Sequence, residues 1–192
     1  TTTGDNATVI AVVDTGVLLD HPDLAGRICT TSGVCAGYDF VSDAVGAGDG
    51  DGIDADPSDP GNSAVLHGTH VAGILGASSN NATGVVGVDW LARIMPVRVL
   101  GPLQEGTSYD LIQGLRYAAG LDNESSIVVS NPANIINLSL GGTGYSQAEQ
   151  DTVDQLRSAG IFVFAAAGNS ANNIPLYPAT YAGVVSVSAV AR

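Results

Sequence analysis

The sequence predicts a three-layer α/β fold, a mostly parallel sheet with helices on both faces. Three observations carry this expectation. Continuous β-branched runs alternate with amphipathic stretches along the whole chain. Glycine is abundant, at 25 residues, while aromatics make up only 5%, which suits a sheet packed with Val, Ile and Ala and joined by tight turns. And 192 residues with 45% hydrophobic content are enough for one sizeable core, so one domain is expected over 1–192.

The elements follow in order. Thr8 to Val13 is a continuous β-branched run and reads as a buried strand. Ile94 to Leu100, Ile135 to Leu140, Ile161 to Ala166 and Val184 to Val190 are the further strands. Leu111, Ile112, Leu115, Ala118 and Ala119 recur with helical spacing, as do Ala148, Val153 and Leu156. Gly120 and Gly160 lie just past those stripes as helix terminators. The segment 43–62, rich in Asp, Gly, Pro, Ser and Ala, reads as an acidic surface insertion. In such sheets functional groups gather at the carboxyl ends of the strands, where Asp14, Gly141-Gly142 and Gly168-Asn169 fall.

Charge and cysteines narrow the function classes. The net charge is −13 and every one of the six basic residues is Arg. So acidic a surface repels nucleic acid and anionic lipid, and no partner of either kind is expected. No stretch approaches the ~20 apolar residues of a membrane helix. Thr1 to Asn6 lacks signal-peptide character, so a mature or trimmed chain is expected. Cys29 and Cys35 flank a short polar loop that a disulfide can close, which favours an extracellular setting.

Four short blocks carry the chemistry. Asp14-Thr15-Gly16 follows the first strand, and His67-Gly68-Thr69-His70-Val71-Ala72-Gly73 opens a helix of small residues. Asn137-Leu138-Ser139-Leu140-Gly141-Gly142 ends one strand, and Ala165-Ala166-Ala167-Gly168-Asn169 ends another. Singly, each has a structural explanation: a turn, a satisfied histidine, a strand end. In this order they resemble the subtilisin-like serine proteases, the subtilases, over nearly the whole chain. His21-Pro22-Asp23-Leu24, Gly84 to Val88 and Tyr177-Pro178-Ala179 add to the resemblance.

The resemblance implies a secreted serine endopeptidase with a subtilisin-like fold, acting on polypeptide substrates. His67 corresponds to the general base, Asp14 to the carboxylate that orients it, and Asn169 to the donor of the oxyanion hole. Ser139, Leu140 and Gly141 correspond to one edge of the substrate cleft, and Glu105, Gly106 and Thr107 to the opposite edge. His70 lacks the Glu and the four-residue spacing of a zinc-protease helix, so structural packing is its expected role, and His21 is read as a turn residue. The family's nucleophile lies in a Gly-Thr-Ser-Met-Ala block that does not occur here. The domain is therefore expected to be incomplete at its C-terminal end, with the serine on a companion chain or segment. The alternatives are a catalytically incompetent fragment and a non-catalytic peptide-binding module.

Calcium is the expected cofactor, at two places. Asp49, Asp51, Asp54, Asp56 and Asp59 concentrate hard oxygen donors in one loop, where a bare solvated acidic loop is the alternative. By the resemblance, Asp23 is a second ligand, completed by the loop 78–85 through Asn80, Thr83 and Val85.

Overall fold

The computed structural model describes residues 3–30, 34–61 and 65–190. Six strands form one sheet: β1 (Val9–Asp14), β2 (Tyr38–Asp39), β3 (Arg93–Arg98), β4 (Ile135–Leu138), β5 (Phe162–Ala166) and β6 (Val185–Val187). Their order is β2-β3-β1-β4-β5-β6, and every pairing is parallel. Successive strands are laid down on one side of β1 and then on the other, so the order reverses at β1. In open α/β sheets that reversal opens a crevice beyond the carboxyl ends of the strands.

Among the described residues four α-helices accompany the sheet: α1 (Ala44–Ala47), α2 (His67–Gly76), α3 (Ser108–Ala118) and α4 (Gln147–Ser158). β1 shows why both faces are covered. Its six residues are all buried, and their side chains alternate between two cores. Val9, Ala11 and Val13 join Leu111 and Leu115 of α3 and Leu156 of α4. Ile10 and Val12 join Val71 and Ala72 of α2. A strand buried on both faces needs a continuous apolar run, which Val9 to Val13 supplies.

The helix ends follow local chemistry. Thr107 caps α3 by accepting from the Asp110 N–H at 3.1 Å, and Ser146 caps α4 by accepting from Glu149 N–H. Gly120 and Gly160 do lie just beyond α3 and α4, both with positive φ, where a side chain would be strained. β3 and β4 end two residues earlier than the apolar runs suggested, and β6 keeps only Val185–Val187 of its run. Beyond β3 and β4 the chain leaves the ladder, and Leu100, Leu140 and Gly141 line the cleft. Cys29 and Cys35 are bonded, with Cα atoms 5.2 Å apart. Residues 31–33 between them lie outside the described residues, as does Asn62 at the end of the acidic insertion. Among the described residues no helix is long and apolar enough to cross a membrane.

Candidate active site

The site begins with Asp14, the last residue of β1, fully buried. Its Oδ1 accepts from the Thr15 N–H at 2.8 Å and lies 2.7 Å from Nδ1 of His67, the first residue of α2. That contact raises the His67 pKa above the ordinary histidine value, against the opposing effect of burial. With Nδ1 donating to Asp14, Nε2 is left as the acceptor facing the cleft. Oδ2 of Asp14 is buried with no hydrogen-bond partner among the described residues.

The helix is fastened to the strand by the motif residues beside His67 and Asp14, together with Asp59. The Thr15 hydroxyl accepts from the Gly68 N–H at 3.0 Å and donates to Oδ2 of Asp59 at 2.9 Å. Thr69 accepts from the Leu18 N–H at 2.9 Å. A Cβ at Gly68 would sit 2.2 Å from the Gly16 carbonyl oxygen, so only glycine allows this approach of helix to turn. Nothing local in the sequence marks Asp59 as the partner of Thr15, 44 positions away.

A cavity of about 350 Å³ brings His67 together with Asn169, Ser139, Leu140 and Gly141. Asn169 is exposed beyond the end of β5, following Gly168 at φ 91°. Ser139 accepts from the Asn137 amide at 3.0 Å, and among the described residues no serine hydroxyl hydrogen-bonds to His67. Gly142 pairs with Tyr177 through two 2.8 Å backbone hydrogen bonds, which braces this edge. Opposite, Glu105, Gly106 and Thr107 are exposed at the head of α3, and the Glu105 carbonyl accepts from the Gly101 N–H at 2.9 Å. Thr107 spends its hydroxyl on the cap of α3.

Of the other two histidines, His21 accepts from the Asp23 N–H at 3.2 Å and shapes the turn as expected. His70 departs from its expected packing role, for it is exposed on α2. The face of α2 around it stays open, with Val65, Ile74, Val85, Val86 and Val88 all more than half exposed.

The carboxylates of the acidic insertion cap their own turns. Asp49, Asp54, Asp56 and Asp59 each accept from a backbone N–H two residues on, the turn habit of aspartate. Beneath them the fully buried Arg98 is ion-paired with Asp39 at 2.6 Å and with Asp49. Asp51 is exposed, its pKa raised first by the Asp54 charge. Among the described residues no three His, Cys, Asp or Glu side chains come together as a metal group. A guanidinium thus supplies positive charge under the loop.

Asp23 is different. It is buried, and its oxygens accept from the Asn81 amide at 3.2 Å and the Val85 N–H at 2.8 Å. The Val85 N–H foremost, then Asn81, holds its pKa below the usual carboxylate value. The loop amide on Asp23 belongs to Asn81, while Thr83 turns back on the Asn81 carbonyl. The loop curls through positive φ at Asn80, Ala82 and Gly84, and a Cβ at Gly84 would meet the Asp23 carboxylate at 2.1 Å. A carboxylate, an amide and loop carbonyls are hard oxygen donors of the kind calcium takes.

The chain matches the Subtilase family over residues 5–192. It is 40% identical to an extracellular protease of Xanthomonas campestris pv. campestris, over 96% of this chain and 33% of that protein. It is 38% identical to thermitase of Thermoactinomyces vulgaris, over 93% of this chain and 53% of that protein. Among solved structures, a protease from Pseudoalteromonas arctica superposes with a TM-score of 0.87 at 38% identity, covering 97% of this chain and 57% of that one. The chain thus spans between a third and about half of these curated relatives.

Proposed function

The chain belongs to the subtilase family, and we propose that it supplies the base, the orienting acid and the oxyanion donor of a secreted serine endopeptidase. The observation that carries this is the 2.7 Å contact between His67 Nδ1 and a fully buried Asp14, opening on a cavity that Asn169 shares. His67 takes the proton of an attacking serine hydroxyl at Nε2 and later returns it to the leaving amine. Asp14 fixes the Nδ1–H tautomer and stabilises the imidazolium formed in between. Asn169 donates its side-chain amide to the oxygen on which negative charge grows, without adding a titrating group.

An extended polypeptide lies between Ser139-Leu140-Gly141 and Glu105-Gly106-Thr107, adding a strand to both edges. The nucleophilic serine belongs to a companion chain or segment outside these 192 residues. Two observations support that assignment. No serine of the described residues bonds to His67, and the apolar surface of α2 and all three residues of β6 are exposed, leaving room for further chain to pack there. Calcium, held by Asp23 with Asn80, Thr83 and Val85 of the loop 78–85, would tie that loop down and stabilise the native state. Secretion is supported by the disulfide and by the extracellular protease from Xanthomonas campestris pv. campestris.

The test is cleavage of quenched peptides by the full-length, serine-bearing protein, with and without a serine-directed fluorophosphonate. The proposal expects turnover that the reagent abolishes. A full-length protein that binds peptides without cleaving them would instead support the non-catalytic binding module.

A further inference from the structure

We infer that Glu149 makes the cavity next to the catalytic pocket a subsite for a cationic substrate side chain, an Arg or a Lys. The inference rests on the peptide-binding reading above. This second cavity, about 490 Å³, lies between Gln104–Ser108 and Leu140–Gly144. It adjoins the His67 cavity, with Leu100, Gln104, Leu140 and Gly141 lining both. Val99, Leu100, Leu111 and Leu140 give it an aliphatic part, two carboxylates line it, Glu105 and Glu149, and no basic residue does.

Glu149 is only 6% exposed. Ser146-Gln147-Ala148-Glu149 is a capping-box sequence, in which the glutamate would reach back to the Ser146 N–H. Here Tyr181 stands between them. The Ser146 N–H donates to the Tyr181 hydroxyl at 2.9 Å, and that hydroxyl donates to Oε2 of Glu149 at 2.9 Å. Among the described residues no arginine or histidine forms an ion pair with the carboxylate. The first turn of α4 favours negative charge at this place. Burial, with Glu149 beside it, raises the Tyr181 pKa well above the ordinary tyrosine value, so the phenol keeps the proton it donates.

A buried carboxylate without a cation is costly, and a ligand that brings the cation offsets that cost. A peptide extended along the cleft sends alternate side chains to the same face. The aliphatic part suits the methylene stem of Arg or Lys, and Glu149 the head group.

The experiment uses the full-length, serine-bearing protein and quenched peptides sharing one cleavable bond. Arg is placed at each position in turn and compared with citrulline, its neutral isostere. At one position two or more residues from the bond, Arg should exceed citrulline by about tenfold in kcat/KM, and Glu149→Gln should bring that ratio near one. Cleavage with equal rates for Arg and citrulline at every position overturns the subsite, whatever the variant does. So does a preference that survives Glu149→Gln. Failure to cleave any peptide would overturn the protease reading itself, and the subsite with it.

Discussion

His67 Nδ1 lies 2.7 Å from Oδ1 of Asp14, a carboxylate fully buried at the end of the central strand. The contact does two things at once: it selects the tautomer that leaves Nε2 free, and it raises the affinity of the ring for a proton. A base must be unprotonated to act, so kcat/KM should rise through an acid limb centred above the ordinary histidine value of about 6.5. Asp14→Asn should lower turnover by about 10⁴, the scale seen when a triad aspartate is replaced. It should also move the limb downward. A pH–rate profile with the same acid limb in both proteins would break the link.

The oxyanion assignment makes a separate prediction. Asn169→Ala should lower kcat by about 10²–10³ and leave KM nearly unchanged, a magnitude that comes from subtilisin itself. Steady-state kinetics on one peptide decide it. A loss confined to KM would instead make Asn169 a substrate-binding residue.

Thr15 joins Asp59 to the first turn of α2, and its removal should be felt in stability and in rate. Thr15→Val keeps the shape and leaves the Gly68 N–H without its partner, costing about 1–3 kcal/mol for the stranded buried group. Urea denaturation should show that loss, and Thr15→Ser should recover most of it. Equal midpoints for Thr15→Val and the parent would remove Thr15 from the positioning of His67.

Arg98 neutralises the floor of the acidic loop. Burial foremost, with the Asp49 and Asp54 charges, pushes Asp39 up to about 7 despite Arg98 and the Val41 N–H. A folded pKa raised in this way favours the native state at low pH, and that contribution is lost as pH climbs through about 7. Arg98→Met strands the Asp39 carboxylate and should destabilise the fold by about 3–5 kcal/mol. The deficit should be larger at pH 8 than at pH 5. A pH-independent deficit would mean that Asp39 carries no uncompensated charge.

Calcium at Asp23 predicts that a chelator lowers the melting temperature, and that Asp23→Asn removes the chelator's effect. Unchanged melting with and without chelator would leave the loop 78–85 held by protein contacts alone.

The parts of this fold that the sequence made legible are those with a local cause. Val9 to Val13 had to be apolar throughout because both its faces are covered, and α3 and α4 had to show their stripes because one face of each packs on the sheet. β2, two residues long, and α1, four, are too short to carry a period, and went unread. The motif histidine and aspartate were legible as a pair only through the family pattern, since 53 positions separate them. Asp39, Arg98 and the Thr15–Asp59 link had no such pattern to announce them. The alternating aspartates were ambiguous for a physical reason: turn capping and cation binding both want a carboxylate at every second or third position.

The central claim is that His67 here serves a serine from elsewhere. The direct measurement is fluorophosphonate labelling of the full-length protein, followed by mass-spectrometric mapping of the modified residue, with His67→Ala beside it. The account predicts one labelled serine outside residues 1–192, and no labelling in His67→Ala. A label on Ser139, Ser170 or any other serine within these residues, or labelling that survives the loss of His67, would contradict it.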